Sequence, residues 1–135
     1  MPISDTAAMI AGMDPVLVPG RFVFRLAEDT VVPFHALASF HEPEGLSLVV
    51  PVDEAHHNEP VMRLIRLNVL SDLQGVGLTA AVAGCLASHG IACNVIAAYH
   101  HDYLLVPEAR AHEAVELLRE LQRTTAAAQP LPPPG

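Results

Sequence analysis

The sequence predicts an α+β fold, an antiparallel sheet with helices on one face, and three features of residues 61–122 carry the prediction. Residues 61–68 alternate between apolar and polar types, as a half-buried strand does. A polar loop and a helix of small residues from about Leu78 to His89 follow, and Gly90 ends that helix. Two further strands, at 91–98 and 103–106, precede a helix that begins at Pro107. The order β-α-β-β-α restricts the fold to a small set of sheet-and-helix layers.

The last helix and the strand before it each show how they pack. Apolar residues recur at helical spacing in the helix while charged residues cover its other side, which predicts one face packed on the sheet; they are Ala111, Ala114, Val115, Leu118 and Leu121. The strand at 91–98 is apolar on both faces apart from Asn94. That pattern predicts a central strand that is covered on both sides.

The first half of the chain is a weaker echo of the same plan. We expect a short helix at 6–13, capped by Ser4 or Asp5, strands at 16–18, 21–27 and 46–50, a helical turn or two at 33–40, and a turn at 42–45. The predicted division is a degenerate first unit at 1–60, a second unit at 61–123 and a disordered tail at 124–135. Because the second unit lacks a closing strand, we expect a strand of the first unit to cover its edge.

Composition excludes several classes of function. The formal net charge of −8 disfavours a nucleic-acid partner, and the absence of lysine excludes Schiff-base chemistry and a phosphate-loop lysine. The two cysteines, Cys85 and Cys93, fall on predicted regular elements and are expected as buried thiols. With no signal peptide and no uninterrupted apolar stretch of about 18 residues, we expect a cytoplasmic protein without a membrane span.

A family resemblance rests on the order and spacing of several segments. They are Arg63–Leu67, Gly90–Tyr99 and Asp102–Glu108 in the second half, and Pro19–Phe24 and Glu44–Pro51 in the first. Together these segments resemble the ACT domain, and more closely the tandem ACT units of small bacterial proteins and of the cytosolic arginine sensors of animals. The resemblance covers roughly residues 15–122.

The resemblance implies two ferredoxin-like (βαββαβ) ACT units that share one sheet, often in a dimer. It also implies small ligands, commonly amino acids, bound at interfaces between units. Members of this family often carry Ser or Thr and an acidic residue around positions 98–101, where this chain has Ala98, His100 and His101.

The polar loop before the first helix of the second unit is the candidate ligand site. Free N–H groups at a helix start attract a carboxylate, glycine permits close approach, and an acidic side chain can meet an ammonium group. The candidate residues are Ser71, Asp72, Gln74, Gly75, Val76 and Gly77, with Asn94 from the following strand. The alternative interpretation is a helix cap with two turn glycines.

Two histidine clusters raise the alternative of a metal-dependent enzyme. His100, His101 and Asp102 follow a predicted strand, and His56 and Glu59 would face together on a helical turn. Solvated loops explain both clusters better, because no third ligand has motif spacing. Cys85 is surrounded by small apolar residues and no serine has the context of a nucleophile, so we predict no catalytic residue, metal or cofactor.

The function that the sequence predicts is therefore non-catalytic. We expect a regulatory protein that binds a small metabolite, with an amino acid as the leading candidate, at an interface between ACT units, and we also expect a homodimer. The alternative is a dimeric interaction scaffold with no ligand.

Overall fold

The computed structural model describes residues 5–54, 57–70 and 76–128. The helices are α1 (Thr6–Ala11), α2 (Leu78–Ala87) and α3 (Ala111–Ala128), with a 3₁₀ turn at Glu108–Arg110. The strands are β1 (Pro15–Leu26), β2 (Ala38–Glu42), β3 (Gly45–Pro51), β4 (Met62–Leu67), β5 (Asn94–Ala97) and β6 (Asp102–Pro107).

All six strands form one antiparallel sheet in the order β2-β3-β1-β4-β6-β5. The long strand β1 joins the two halves, because Pro15–Val18 pair with β4 and Phe22–Leu26 pair with β3. The register shifts between Val18 and Phe22, where Pro19 lacks a donor and Gly20 has a φ of 116°. The prediction that a strand of the first half covers the open edge of the second unit is confirmed. The two strands predicted at 16–18 and 21–27 form the single strand β1.

The helices lie on one face of the sheet, as predicted. Asp5 caps α1 by accepting a hydrogen bond from the amide of Ala8 at 2.9 Å. The main core then forms between three helices and the helix-covered face of β4 and β6, with buried side chains that include Met9, Met13, Ile65, Leu67, Val82, Leu86, Leu104, Val106, Ala114 and Leu118. The one-sided packing predicted for α3 is confirmed.

The opposite face of the sheet is concave and carries no helix in the described part of the chain. Phe22, Val49, Leu64 and Leu105 are nevertheless buried there. A cavity of about 290 Å³ lies on this concave face and is lined by Leu37 and Ala38 from one edge of the sheet and by Leu64, Ile96, Ala98 and Tyr103 from the other side. The sheet therefore curls far enough for its two ends to share a cavity.

Two of the predicted elements are wrong. The strand predicted at 91–98 as central is β5, a four-residue strand at the edge of the sheet, and its Asn94 and Ala97 are exposed. Its apolar character has another cause: Cys93 and Val95 pack against the main core while Ile96 faces the concave side. The helical turns predicted at 33–40 give way to the edge strand β2, which pairs with β3.

The C-terminal end of α3 also differs from the prediction. The helix continues to Ala128, past Thr124, where the disordered tail was predicted to begin. The hydroxyl of Thr124 bonds back to the carbonyl of Glu120 at 3.1 Å, and alanines favour helix in the turn that follows. Residues 129–135 lie outside the described residues.

The first unit repeats the strand order of the second with one replacement. β1, β2 and β3 correspond in order to β4, β5 and β6, but residues 27–37 stand where α2 stands in the second unit. In the first unit, loop segments pack on the sheet face that α2 covers in the second unit. Beneath them lie the buried residues Val23, Leu46, Leu48 and Val50.

Candidate functional site

The predicted ligand loop is described at its helical end alone. Ser71, Asp72, Gln74 and Gly75 lie outside the described residues. Gly77 has a φ of 104° and precedes α2 without a side-chain cap. The hydroxyl of Thr6 donates a hydrogen bond to the carbonyl of Val76, and the Thr6 side chain lies 2.8 Å from the position that a Cβ on Gly77 would take. The start of α1 therefore closes over this end of the loop and requires a glycine there.

Asn94 lies far from that end of the loop. Its register partner is Leu105, which belongs to the concave face, whereas α2 packs on Leu104 and Val106 of the opposite face. Gly77 marks the start of α2, a helix about 15 Å long, and Asn94 follows its far end. Of the predicted site residues that are described, Val76 and Gly77 lie together and Asn94 lies apart from them.

Asn94 contributes instead to a cavity between the two units. This junction cavity has a volume of about 320 Å³ and is lined by Phe24, Glu59, Pro60, Met62 and Asn94. Phe24 comes from β1 of the first half, Glu59 and Pro60 from the connection, and Met62 and Asn94 from the second half. Sequence reasoning missed Phe24 and Met62, since their proximity depends on the pairing of β1 with β4.

Glu59 gives the junction cavity a fixed negative charge. The amide of Glu59 itself, the guanidinium of Arg25 and the amide of Asn58 lower the pKa of its carboxyl, in that order of effect. The Nε atom of Arg25 lies 3.4 Å from Oε1, and the amide of Asn58 lies 3.0 Å from Oε2. The carboxylate is therefore ionised at neutral pH, and a third of the side chain is accessible to a ligand.

A second charged group ties the first unit to the start of α3. The guanidinium of Arg21 contacts Glu108 through Nε at 2.5 Å and Nη2 at 3.0 Å, and it also bonds to Glu54. The hydrogen bond from Arg21 is the main cause of the lowered pKa of Glu108. A bidentate pair of this kind fixes orientation as well as charge. It links β1 to the turn that begins α3, on the helix-covered side of the junction.

The Arg21–Glu108 pair predicts a loss of stability in acid. The pKa of Glu108 is lower in the folded chain than its ordinary value of 4.5, so the pair stabilises the fold above that pH and its contribution is lost as the pH falls through the folded value. We expect urea unfolding to show a smaller decline in stability between about pH 5 and pH 3 for Glu108→Gln than for the unchanged chain. Glu116→Gln, on the exposed face of α3, is the matched control, and an equal decline in both variants would contradict the assignment.

The two histidine clusters do not form a metal site in the described residues. No group of three His, Cys, Asp or Glu side chains in residues 5–54, 57–70 and 76–128 is placed to hold a metal ion. His101 contacts the carbonyl of Val69 through Nδ1 at 3.3 Å, His100 stacks edge-on against Tyr99, and Asp102 is buried on β6. His56 lies outside the described residues, and Glu59 pairs with Arg25.

The cysteines and helices add two further observations. Cys85 and Cys93 are free and half-buried, and burial raises the pKa of both thiols. Neither thiol is thereby activated as a nucleophile. In the described ranges, no helix combines the length and apolar character that crossing a bilayer requires.

Comparison with known proteins agrees with this architecture. Two models of the ACT domain match the chain in tandem, one over residues 2–60 and the other over 62–120. A solved structure from Vibrio cholerae, described as a protein of unknown function and a possible transport protein, is 37% identical with a TM-score of 0.74, covering 83% of this chain and 92% of that one.

A more distant solved structure shares the fold. A protein from Agrobacterium tumefaciens is 18% identical with a TM-score of 0.55, and the match covers 76% of this chain and 81% of that one. A search of curated proteins gave no match. The two ACT-domain models match adjacent halves of the chain, and both halves contribute to one antiparallel sheet with helices on one face. The chain is therefore a tandem ACT-domain protein with ferredoxin-like units.

Proposed function

We propose that this protein is a non-catalytic regulator that binds a small metabolite, an amino acid, in the junction cavity between its two ACT units. ACT domains are typically regulatory modules that bind small ligands. The observation that carries the proposal is a cavity lined by residues of both units. A ligand there contacts β1, β4 and β5 together, so its binding energy depends on how the units sit against each other.

The lining of the junction cavity suits one amino acid. The ionised carboxylate of Glu59 attracts the ligand ammonium group. The amide of Asn94 supplies a donor for the ligand carboxylate, and Phe24, Pro60 and Met62 surround an apolar side chain. A volume of about 320 Å³ lies at the lower end of the range of roughly 300–1,000 Å³ for small-ligand pockets.

Ligand binding is tested by a thermal-shift screen against the twenty common amino acids at millimolar concentration. A ligand that binds the folded chain raises its melting temperature by mass action. We expect at least one amino acid to do so, and we expect Glu59→Gln and Asn94→Ala each to reduce the affinity about tenfold. Glu116→Gln, which removes a carboxylate from a surface arginine pair on α3, should leave the affinity unchanged.

The same variants separate the junction cavity from the predicted loop. If Asp72→Asn abolishes the shift while Glu59→Gln and Asn94→Ala do not, the ligand binds at the loop Ser71–Gly77 and the junction is excluded as the site. No response to any amino acid, together with a stable dimer in sedimentation, would favour the interaction scaffold. The proposal includes a homodimer in the cytoplasm, and sedimentation at micromolar concentration tests the dimer.

A further inference from the structure

The first unit contains a larger cavity, which meets the junction cavity at Glu59. It has a volume of about 850 Å³ and lies between the face of β3 that carries Leu48 and Val50 and the segment that follows β1. It arises because residues 27–37 stand where the second unit has α2. The segment is an irregular loop with bends and a turn, and it replaces a helix, whose diameter with side chains is about 10–12 Å.

The floor of this first-unit cavity is apolar. Leu48 and Val50 on β3 line it and belong to a buried cluster. Those two side chains are only 4% exposed, whereas Leu26 and Val31, which also line the cavity, are 58% and 68% exposed and supply the apolar surface that a ligand can cover. Apolar surface of this kind gains free energy when a ligand covers it, and the gain scales with the area covered.

The rim of the cavity carries an excess of negative charge. Glu28, Asp29, Asp53 and Glu59 line it, against Arg25 and His35. Arg25 pairs with Glu59 at 3.4 Å, and the carboxylate of Glu28 lines the same cavity. A cavity lined by one sign of charge raises the local concentration of ligands of the opposite sign.

These carboxylates are spread around the rim instead of meeting at one point. Asp29 accepts a hydrogen bond from the amide of Val31 at 2.9 Å, and Glu59 holds Arg25 on the far side. Among the described residues, no three acidic, histidine or cysteine side chains converge as metal ligands. The arrangement therefore suits an organic cation, which needs a single carboxylate partner, better than a metal ion.

We propose that the first-unit cavity is a binding site for a small organic amine with a flat apolar body. The apolar body lies against Leu26 and Val31, and the ammonium group points to the acidic rim beside Glu28. The two cavities share Glu59 and differ in their other lining residues: Asn94 and Met62 belong to the junction cavity alone, and Glu28 and Val31 belong to the first-unit cavity alone.

Two probes with the same ring and opposite charge test the proposal on the full chain. Tryptamine carries an ammonium group, and indole-3-acetate carries a carboxylate. We expect tryptamine at millimolar concentration to shift the amide resonances of Ala27, Val31 and His35, and indole-3-acetate to bind roughly tenfold more weakly. Glu28→Gln should weaken tryptamine binding about two- to fivefold, as expected for one exposed charge.

The control variant is Glu44→Gln, which removes an exposed carboxylate from the turn before β3, outside the cavity lining. Tryptamine affinity should be unchanged in this variant. Equal affinity for the two probes, no binding of either, or equal losses in the two variants would overturn the proposal. Shifts confined to Asn94 and Met62 would also overturn it while supporting the junction cavity, so failure of one site is distinguishable from failure of the other.

Discussion

Replacement of Leu118 by alanine is expected to lower the free energy of unfolding by about 2–5 kcal/mol. Leu118 is fully buried in the main core, in one cluster with Met13 of the segment after α1, Leu86 of α2 and Leu104 of β6. Truncation removes the transfer free energy of three carbons, one methine and two methyl groups, and leaves a void that the rigid surroundings fill incompletely. Urea unfolding followed by circular dichroism measures the change.

The neighbouring leucine on α3 supplies the control. Leu117 lies at the margin of the same cluster and is partly buried, so Leu117→Ala removes the same atoms from a site open to solvent. Its effect should be well below that of Leu118→Ala. Equal effects of the two substitutions would contradict the packing of α3 on the main core through one buried face.

Replacement of Gly77 by alanine is expected to destabilise the fold by about 1–3 kcal/mol. Two causes act together. The φ of 104° is a conformation that residues with a Cβ rarely adopt, and the added atom would lie 2.8 Å from the side chain of Thr6. Thermal and urea unfolding both report the change, and ligand screens on the variant test whether this end of the loop matters for binding.

Replacement of Gly84, inside α2, is expected to have the opposite effect on stability. A Cβ there meets nothing within 4 Å, and the residue is in the interior of a helix, so Gly84→Ala should stabilise the fold by about 0.5–1 kcal/mol. The double variant Thr6→Ala with Gly77→Ala separates the causes at Gly77, because it removes the close atoms and keeps the strained backbone. Full recovery in the double variant would show that backbone strain contributes nothing.

Much of the second unit was predictable because its signals are local. The alternation of residues 61–68, the glycine at 90 and the one-sided pattern of α3 each identify an element without knowledge of its neighbours. β2 lacked such a signal: it is exposed along its length, with Phe40 open to solvent, and it is a strand because β3 offers hydrogen-bonding partners. The edge position of β5 likewise depends on strand order, which an apolar run does not encode.

The candidate site likewise depends on tertiary contacts that local sequence signals do not encode. The sequence placed Glu59 beside His56 by spacing, but the partner that holds its charge is Arg25, 34 residues away in sequence. Phe24 and Met62 meet Asn94 through the pairing of β1 with β4 and the curl of the sheet. Contacts of this kind follow from tertiary topology, so single-sequence patterns identified Asn94 and missed Phe24 and Met62.

The strand β1 belongs to both units at once, with its first half beside β4 and its second half beside β3. A fragment that begins at residue 61 would therefore lack β1, and β4 would become an unpaired edge strand that is prone to aggregation. The two sequence repeats then form a single cooperative folding unit. Neither repeat can be deleted or exchanged unless another strand replaces β1.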